Sequence, residues 1–390
     1  MSLAGTRGER DLAGSEGDSG GEPIERRLAI AAGGTAGHIS VGLAIAEAYR
    51  EAFDDVSICF IGTPAGLEER LVPSAGYPLE IIAGTPVAGE SGLGKSRALW
   101  NLAAGVRQAR RILARRRTRL MIGCGGYASA GAVVAARSLG LRVAIQEANV
   151  VPGMANRLLG GLADRVYLGF EVAAGSIGGK KVRVTGNPVR SEITRTGSSK
   201  RQRALTDAAR ARVVVLGGSL GSRFLNREAP ELLKRIANLG VAIDVLHQTG
   251  NEEPAPIAAA YRAAGIPARV ETFISDMAGT YQWADFAITS AGALTLAELA
   301  ACGVPALLIP LRNSAGDHQV ANAKAFADRT GGWWVAEAAW DSRSLADRIS
   351  SLLRGTENWQ SASKRVRELA NPDAARALVA DCEGLMSRQW

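Results

Sequence analysis

The sequence predicts an α/β protein made of two Rossmann-like domains, each with its own parallel sheet, facing each other across a cleft. Three observations carry this. From Arg27 onward, short and continuously apolar runs alternate with longer segments whose apolar residues recur at helical spacing. Strands that are apolar throughout belong to parallel sheets covered on both faces. The grammar then restarts: "LAIAAGGTAGHISVGLAIAEAY" and "VVVLGGSLGSRFLN" each run strand, Gly-Gly-polar-x-Gly turn, helix, which marks two similar doubly wound halves. At 390 residues the chain is long enough for two full cores.

Residues 1–26 are rich in Gly, Ser, Glu, Asp and Arg and lack an apolar signal-peptide core, so a disordered leader is expected there. Residues 27–188 are the first domain, with "RRLAIAAGG", "VSICFIGT", "RLMIGCGG", "RVAIQEAN" and "RVYLGF" as strands. Residues 189–210, including the polar "TRTGSSKRQRALTDAA", are expected to be a linker, with the hinge between Pro188 and Ala211. Residues 211–358 are the second domain, with "ARVVVLGG", "AIDVLHQTG", "RVETFIS", "FAITS" and "PALLIPL" as strands. Residues 359–390 read as amphipathic helix that packs back across the interface.

Composition narrows the classes. The apolar share of 47% and charged share of 22% are those of a soluble globular protein. The net charge of +8 is concentrated at Arg107, Arg110, Arg111, Arg115, Arg116, Arg117 and Arg119. That stretch is a solvated helix end or a contact for an anionic membrane surface, with Leu93, Leu99 and Trp100 as apolar neighbours. Nucleic acid is disfavoured, since aromatics are 5% and none interleave the arginines. The cysteines 59, 124, 302 and 382 are scattered without C-x-x-C spacing, which argues against structural zinc and for a reducing compartment. No run reaches the ~20 apolar residues of a membrane span, so any membrane association is peripheral.

Neither Gly33-Gly34-Thr35-Ala36-Gly37 nor Gly217-Gly218-Ser219-Leu220-Gly221 has the G-x-G-x-x-G spacing of a dinucleotide fingerprint. The turn at Gly123 to Ala128 matches only the looser form, from mid-domain. What these turns share is a glycine entry to a helix at the end of a strand. There the backbone N–H groups can face an anion or sugar, or the helix can pack closely on the strand. The richest constellation is "SAGALTLAELAACGVP", Ser290 to Pro305, followed by "GDHQVANA", Gly316 to Ala323. Its small-residue turn suits a diphosphate. Glu298, about one turn into the helix, suits a ribose diol or is an ordinary exposed glutamate. Asp317, His318, Gln319 and Asn322 suit sugar hydroxyls, Asp317 alternatively being a helix N-cap. Of the three histidines, only His38 follows the first-domain turn; it is a candidate base or a packed residue. His247 and His318 read as binding or positioning groups.

The pieces "GGTAGH", "GCGGYASAGAVVAARSLG", "QEANVVPGMANRLL", "ADRVYLGF", "VTGNPVR", "VLGGSLGSRFLN", "LHQTG", "FISDMAGTY", "ADFAITSAGALTLAELAACGVPALLIPL" and "DHQVANA" follow one family's order from Leu28 to about Glu337. By them the chain resembles the MurG family of UDP-N-acetylglucosamine: undecaprenyl-diphospho-muramoyl-pentapeptide N-acetylglucosaminyltransferases. The resemblance implies a GT-B fold and inverting transfer of GlcNAc from UDP-GlcNAc to the C4 hydroxyl of a polyprenyl-diphosphate-linked muramoyl sugar. That is the step from lipid I to lipid II in peptidoglycan synthesis, at the cytoplasmic face of the plasma membrane, serving cell-wall biogenesis, cell shape and division.

By motif position the resemblance implies that His38 is the general base and that Thr35, Ala36, Gly37 and Asn149 line the cleft near the transferred sugar. It implies donor contacts from Arg190, Ser219, Ile274, Ala293, Leu294, Thr295, Leu296, Ala297, Glu298 and Gln319, with Glu298 on the ribose and the Ile274 backbone on uracil. No cofactor or metal is expected, because a helix N-terminus can absorb the diphosphate charge and no DxD pair sits at a strand end. The chain departs from the family pattern at Val41, where a proline is usual, at "ASAGA", where Ser-Gly-Pro is, at Ser290 and at Gly316. Two alternatives stand beside the main reading. One is a related glycosyltransferase of specialised metabolism acting on another lipid-linked or glycolipid acceptor. The other is a non-catalytic nucleotide-sugar binder, against which the presence of both His38 and Glu298 argues.

Overall fold

The computed structural model describes residues 26–64, 66–84, 93–175, 177, 179, 181–199, 210–312 and 317–387, without the side chains of 93–99. The first domain runs β1 (Arg27–Ala31), α1 (Ala36–Ala52), β2 (Ser57–Gly62), α2 (Glu68–Ser74), β3 (Leu79–Ile81), α3 (Leu93–Arg115), β4 (Leu120–Gly123) and α4 (Tyr127–Ser138). It continues through β5 (Arg142–Glu147), α5 (Met154–Leu159), β6 (Arg165–Leu168), a 3-10 turn (Glu171–Gly175) and β7 (Val182–Val184). The strands pair in parallel in the order β3-β2-β1-β4-β5-β6-β7.

After α6 (Ser191–Ser199) comes the second domain: β8 (Ala211–Leu216), α7 (Arg223–Asn238), β9 (Ile243–Gln248), α8 (Pro254–Ala263), β10 (Ala268–Glu271), α9 (Met277–Trp283), β11 (Phe286–Thr289) and α10 (Ala293–Cys302). Then follow β12 (Ala306–Leu308), α11 (His318–Thr330), β13 (Trp333–Trp334), α12 (Ser342–Arg354), α13 (Thr356–Arg367) and α14 (Ala374–Met386). Its sheet is again parallel, ordered β10-β9-β8-β11-β12-β13.

Alternation along each strand explains the unbroken apolar runs. In β1, Ala29 and Ala31 face the layer of α3 and α4, whereas Leu28 and Ile30 face α1. In β8, Val213 and Val215 join the outer core with α7 and α12, while Val214 and Leu216 turn inward. The two inward faces meet in one continuous apolar cluster that includes residues of α1, α10 and α14. The domain interface is thus part of the core.

Three expected boundaries shift. Residues 1–25 lie outside the described residues, but Arg26 belongs to the folded domain: it pairs with Asp55 and Glu383 and stacks on Phe53. The stretch 189–210 is not all linker. Ser191–Ser199 is helical, Ile193 is buried, and α6 packs on α9 and α10, so close that a Cβ on Gly197 would collide with the Ala301 carbonyl. Residues 200–209 lie outside the described residues. The cut at 358/359 falls inside α13, which belongs to the second domain because buried Trp359 donates Nε1–H to Asp285 O at 2.7 Å.

Helix α14 crosses back onto the first domain. It buries Leu378, Val379 and Cys382 beside α1, each worth roughly 1.5–3 kcal/mol for the larger side chains. Asp381 on α14 accepts from Arg165 and from Tyr167 OH, both at 2.8 Å.

Candidate active site

In an open parallel sheet, ligands bind beyond the carboxyl ends of the strands where the strand order reverses. Here that point lies between β1 and β4 in one sheet and between β8 and β11 in the other. The turns after those four strands are the glycine turns singled out in the sequence.

Thr35 caps α1 with an extended backbone, φ −135° and ψ 150°, and its Oγ1 accepts from His38 N at 3.4 Å. The same tight entry folds the His38 ring back, so that Nδ1 lies 3.2 Å from Gly33 O. A proton on Nδ1 satisfies that carbonyl and leaves the Nε2 lone pair free. Gly125, at φ +108°, is the neighbour of Nε2: a Cβ there would stand 2.7 Å from it. A Cβ on Gly126 would collide with Gly33 O. These glycines therefore admit the histidine and its carbonyl partner, a close approach within the chain rather than to a ligand. Gly34, at φ +81°, does face open space.

Burial lowers the His38 pKa. The Gly33 hydrogen bond, Glu147 and Glu68 pull it back up, and His318 from the second domain pushes it further down. His38 and His318 thus feel each other across the interface.

Glu147, at the end of β5, is buried with both oxygens engaged. Oε1 accepts from Asn149 N and Nδ2, and Oε2 from Gly153 N and Asn156 Nδ2. This sets Asn149, whose Oδ1 accepts from Asn322 Nδ2 at 3.1 Å. Asn322 was expected to face sugar hydroxyls. Instead it is fully buried and clamps the domains together: Oδ1 accepts from Val150 N at 2.9 Å, and Nδ2 also donates to Ala291 O at 3.2 Å.

On the second-domain side, α10 opens at Gly292 with no side chain capping it, which leaves first-turn N–H groups unpaired in the helix. Ala293 and Leu294 are buried, Thr295 and Ala297 half-buried. Leu296 offers nothing to a ligand, since its side chain is in the core and its N–H bonds Gly292 O at 3.0 Å.

Glu298 is buried, not an exposed helix glutamate, and Tyr281 OH donates to it at 2.8 Å. Burial pushes its pKa up to about 7, against the pull of Tyr281 and Arg190. Arg190 bonds Glu192 at 2.7 Å through Nη2 while its buried Nε has no partner. Gln319 Oε1 accepts from Ala291 N and Leu311 N, which leaves its amide nitrogen as the end that can donate. Ile274 N donates to Gln248 Oε1 at 2.8 Å, and Gln248 Nε2 donates to Gly218 O at 2.8 Å. Ser219 sits half-buried beside Gly218.

Other expectations resolve differently. His247 is a packing residue between Tyr261 OH at 2.8 Å and Asn226 Oδ1 at 3.0 Å, and burial pushes it down to about 4. Asp317 does not cap α11 with its side chain; it is left-handed, φ 52°. Gly316 lies outside the described residues.

The arginine stretch is partly spent: Arg115 and Arg116 pair with Glu80, and Arg110 donates to Ser138. Arg107 and Arg111 are exposed, as are Trp100, Met154 and Leu158. The side chains of Leu93 and Leu99 lie outside the described residues. Sequence reasoning missed Glu68, Glu147, Gln248 and Tyr281. For Glu147 a signal existed, an acid closing a strand-like run, and Gln248 and Tyr281 lie inside the pieces "LHQTG" and "FISDMAGTY"; for Glu68 there was none.

The sequence profile of the glycosyltransferase family 28 N-terminal domain matches residues 28–168, and that of its C-terminal domain residues 212–378. The chain is 39% identical over 354 residues, 91% of its length, to a Magnetococcus marinus protein of which 96% is covered. That protein is named UDP-N-acetylglucosamine--N-acetylmuramyl-(pentapeptide) pyrophosphoryl-undecaprenol N-acetylglucosamine transferase. A Myxococcus xanthus protein of the same name is 35% identical, covering 93% of this chain and 94% of that one. Among solved structures, Acinetobacter baumannii MurG superposes with a TM-score of 0.72 at 27% identity, over 92% of this chain and 99% of that one. A Neisseria meningitidis UDP-GlcNAc 2-epimerase bound to UDP-GlcNAc reaches 0.65 at 11% identity, a likeness of fold alone.

Proposed function

The chain belongs to glycosyltransferase family 28, and on that footing we propose that it converts lipid I to lipid II by moving GlcNAc from UDP-GlcNAc to the C4 hydroxyl of undecaprenyl-diphospho-MurNAc-pentapeptide. It is a UDP-sugar-dependent hexosyltransferase of GT-B fold, with two Rossmann-like domains joined at the carboxyl ends of their sheets. The observation that carries the mechanism is the pairing of opposite switch points: an imidazole with a free Nε2 on one side, an uncapped helix start and a buried carboxylate on the other.

His38 Nε2 removes the proton from the C4 hydroxyl as its oxygen attacks the anomeric carbon of GlcNAc from the face opposite UDP. The bond from that carbon to the β-phosphate oxygen breaks, UDP leaves with the electron pair, and the configuration inverts. The N–H groups at Ala293, Leu294 and Thr295 take up the charge on the diphosphate. Glu298 accepts from the ribose diol, Ile274 meets uracil through its backbone, and Gln319 donates to the sugar. Arg190 and Ser219 flank the phosphates, while Thr35, Ala36, Gly37 and Asn149 border the acceptor. Because the helix start supplies the stabilisation, the reaction needs no metal.

Among the described residues no helix is long and apolar enough to cross a membrane. We place the enzyme peripherally on the cytoplasmic face of the plasma membrane, held by anionic lipid at Arg107 and Arg111 with Trp100 beside them.

The test is transfer from UDP-GlcNAc to a soluble lipid I analogue, followed by mass spectrometry, with and without EDTA. GlcNAc-MurNAc product at equal rates in both is expected. Product on a different lipid-linked acceptor only would move the enzyme to specialised metabolism, and dependence on divalent metal would overturn the role given to α10.

A further inference from the structure

We propose that Glu68 is a positioning residue for this reaction, acting on His38 through the single peptide unit that joins Gly33 to Gly34. The proposal rests on His38 being the base.

Glu68 is fully buried at the start of α2, an unfavourable place for a carboxylate unless its oxygens are bonded. Oε1 accepts from Thr63 N at 3.0 Å and Thr63 Oγ1 at 3.1 Å. Oε2 accepts from Gly34 N at 3.4 Å. The peptide that owns this N–H also owns the Gly33 carbonyl, and that carbonyl is the partner of His38 Nδ1. The chain of contacts is carboxylate, peptide N–H, peptide C=O, imidazole Nδ1–H.

A peptide is planar and trans, so fixing its N–H fixes the direction of its C=O. A hydrogen bond to an anion at one end also strengthens the acceptor at the other. Both effects hold the proton on Nδ1 and keep Nε2 free for the acceptor hydroxyl.

The surroundings are shaped for this group. A Cβ on Gly33 would stand 2.5 Å from Oε1, one on Gly62 2.6 Å from Cγ, and one on Gly66 would collide with the carboxylate. Three separate backbones therefore close on one carboxyl. Thr63 alone could have been bonded by a side chain at lower cost; the reach to Gly34 is what a carboxylate adds.

The test uses Glu68→Gln, which keeps the shape but cannot accept at both ends, and Thr63→Val, which removes the hydroxyl contact and spares the relay. Glu68→Gln should lower kcat on the order of tenfold to a hundredfold, with the KM for UDP-GlcNAc within about twofold because donor groups are untouched. The charged groups facing His38 are Glu68 from α2, Glu147 from β5 and His318 from α11. Removing Glu68 withdraws one that favours the imidazolium, so the acid limb of kcat/KM should move to lower pH. With three histidines in the chain, 15N NMR resolves each ring. Wild-type His38 should carry its neutral-state proton on Nδ1 and Glu68→Gln should lose that preference, while the His247 signals stay put as a check on folding.

Wild-type His38 protonated on Nε2 overturns the proposal, whether or not the variant folds. So does Glu68→Gln with wild-type kcat and tautomer, or Thr63→Val with the same loss as Glu68→Gln. If the wild type transfers no GlcNAc, the functional reading fails, and the NMR result still decides Glu68.

Discussion

The first turn of each domain does the same mechanical job with different electrostatics. In the first domain the Gly33–Gly34 peptide is held by the Glu68 carboxylate. In the second, Gly218 O is held by the Gln248 amide, whose other end holds Ile274. Each holder comes from the second strand of its sheet or the segment after it. An anion beside His38 favours its taking a proton. The same charge under Gly218 would face a diphosphate, at a cost of about 3 kcal/mol for ~6 Å and an effective dielectric constant of ~20. On the proposed reading, one architecture used twice separates the half that holds the base from the half that takes the diphosphate, with a different buried side chain under each turn.

The sharpest way to break this comparison is to remove the base. His38→Ala should lower kcat on the order of 10²- to 10⁴-fold while the KM for UDP-GlcNAc stays nearly constant; steady-state assays retaining a tenth or more of the rate would take the base away from the first turn. Next, Gln248→Glu puts the first domain's charge under the second domain's turn. UDP-GlcNAc affinity, read by calorimetry, should fall on the order of tenfold to a hundredfold, and unchanged affinity would erase the electrostatic contrast. The smallest effect concerns the outer surface of the first domain. Replacing Arg107 and Arg111 by Ala should weaken binding to anionic vesicles by about fivefold each at low salt, at roughly 1 kcal/mol per arginine. Added salt should remove the difference, and UDP-GlcNAc affinity should not move.

Ten of the thirteen described strands and the two glycine turns were legible because parallel strands buried on two faces leave unbroken apolar runs, and switch-point turns need glycine; the edge strands β3, β7 and β13, two or three residues each, leave no such run. The positions of His38 and Glu298 beside the two switch points were legible because each lies on a helix that such a turn opens. Glu68 was not: an acid starting a helix looks like an ordinary complement to the helix dipole, and nothing local says that its carboxylate reaches back to Gly34. Helix α6 hid behind a polar run, since its burial rests mainly on Ile193 and on the missing side chain of Gly197. Asn322 was placed near the right residues but given the wrong task, because whether an amide faces a ligand or another domain depends on the interface.

The last helix has a consequence for synthesis. Asp381 of α14 meets Arg165 across 216 residues of sequence, and α14 covers the surface of α1. At about 5–20 residues per second on the ribosome, that separation is on the order of ten to forty seconds. Throughout that time the nascent first half carries the apolar flank of α1 that α14 later covers.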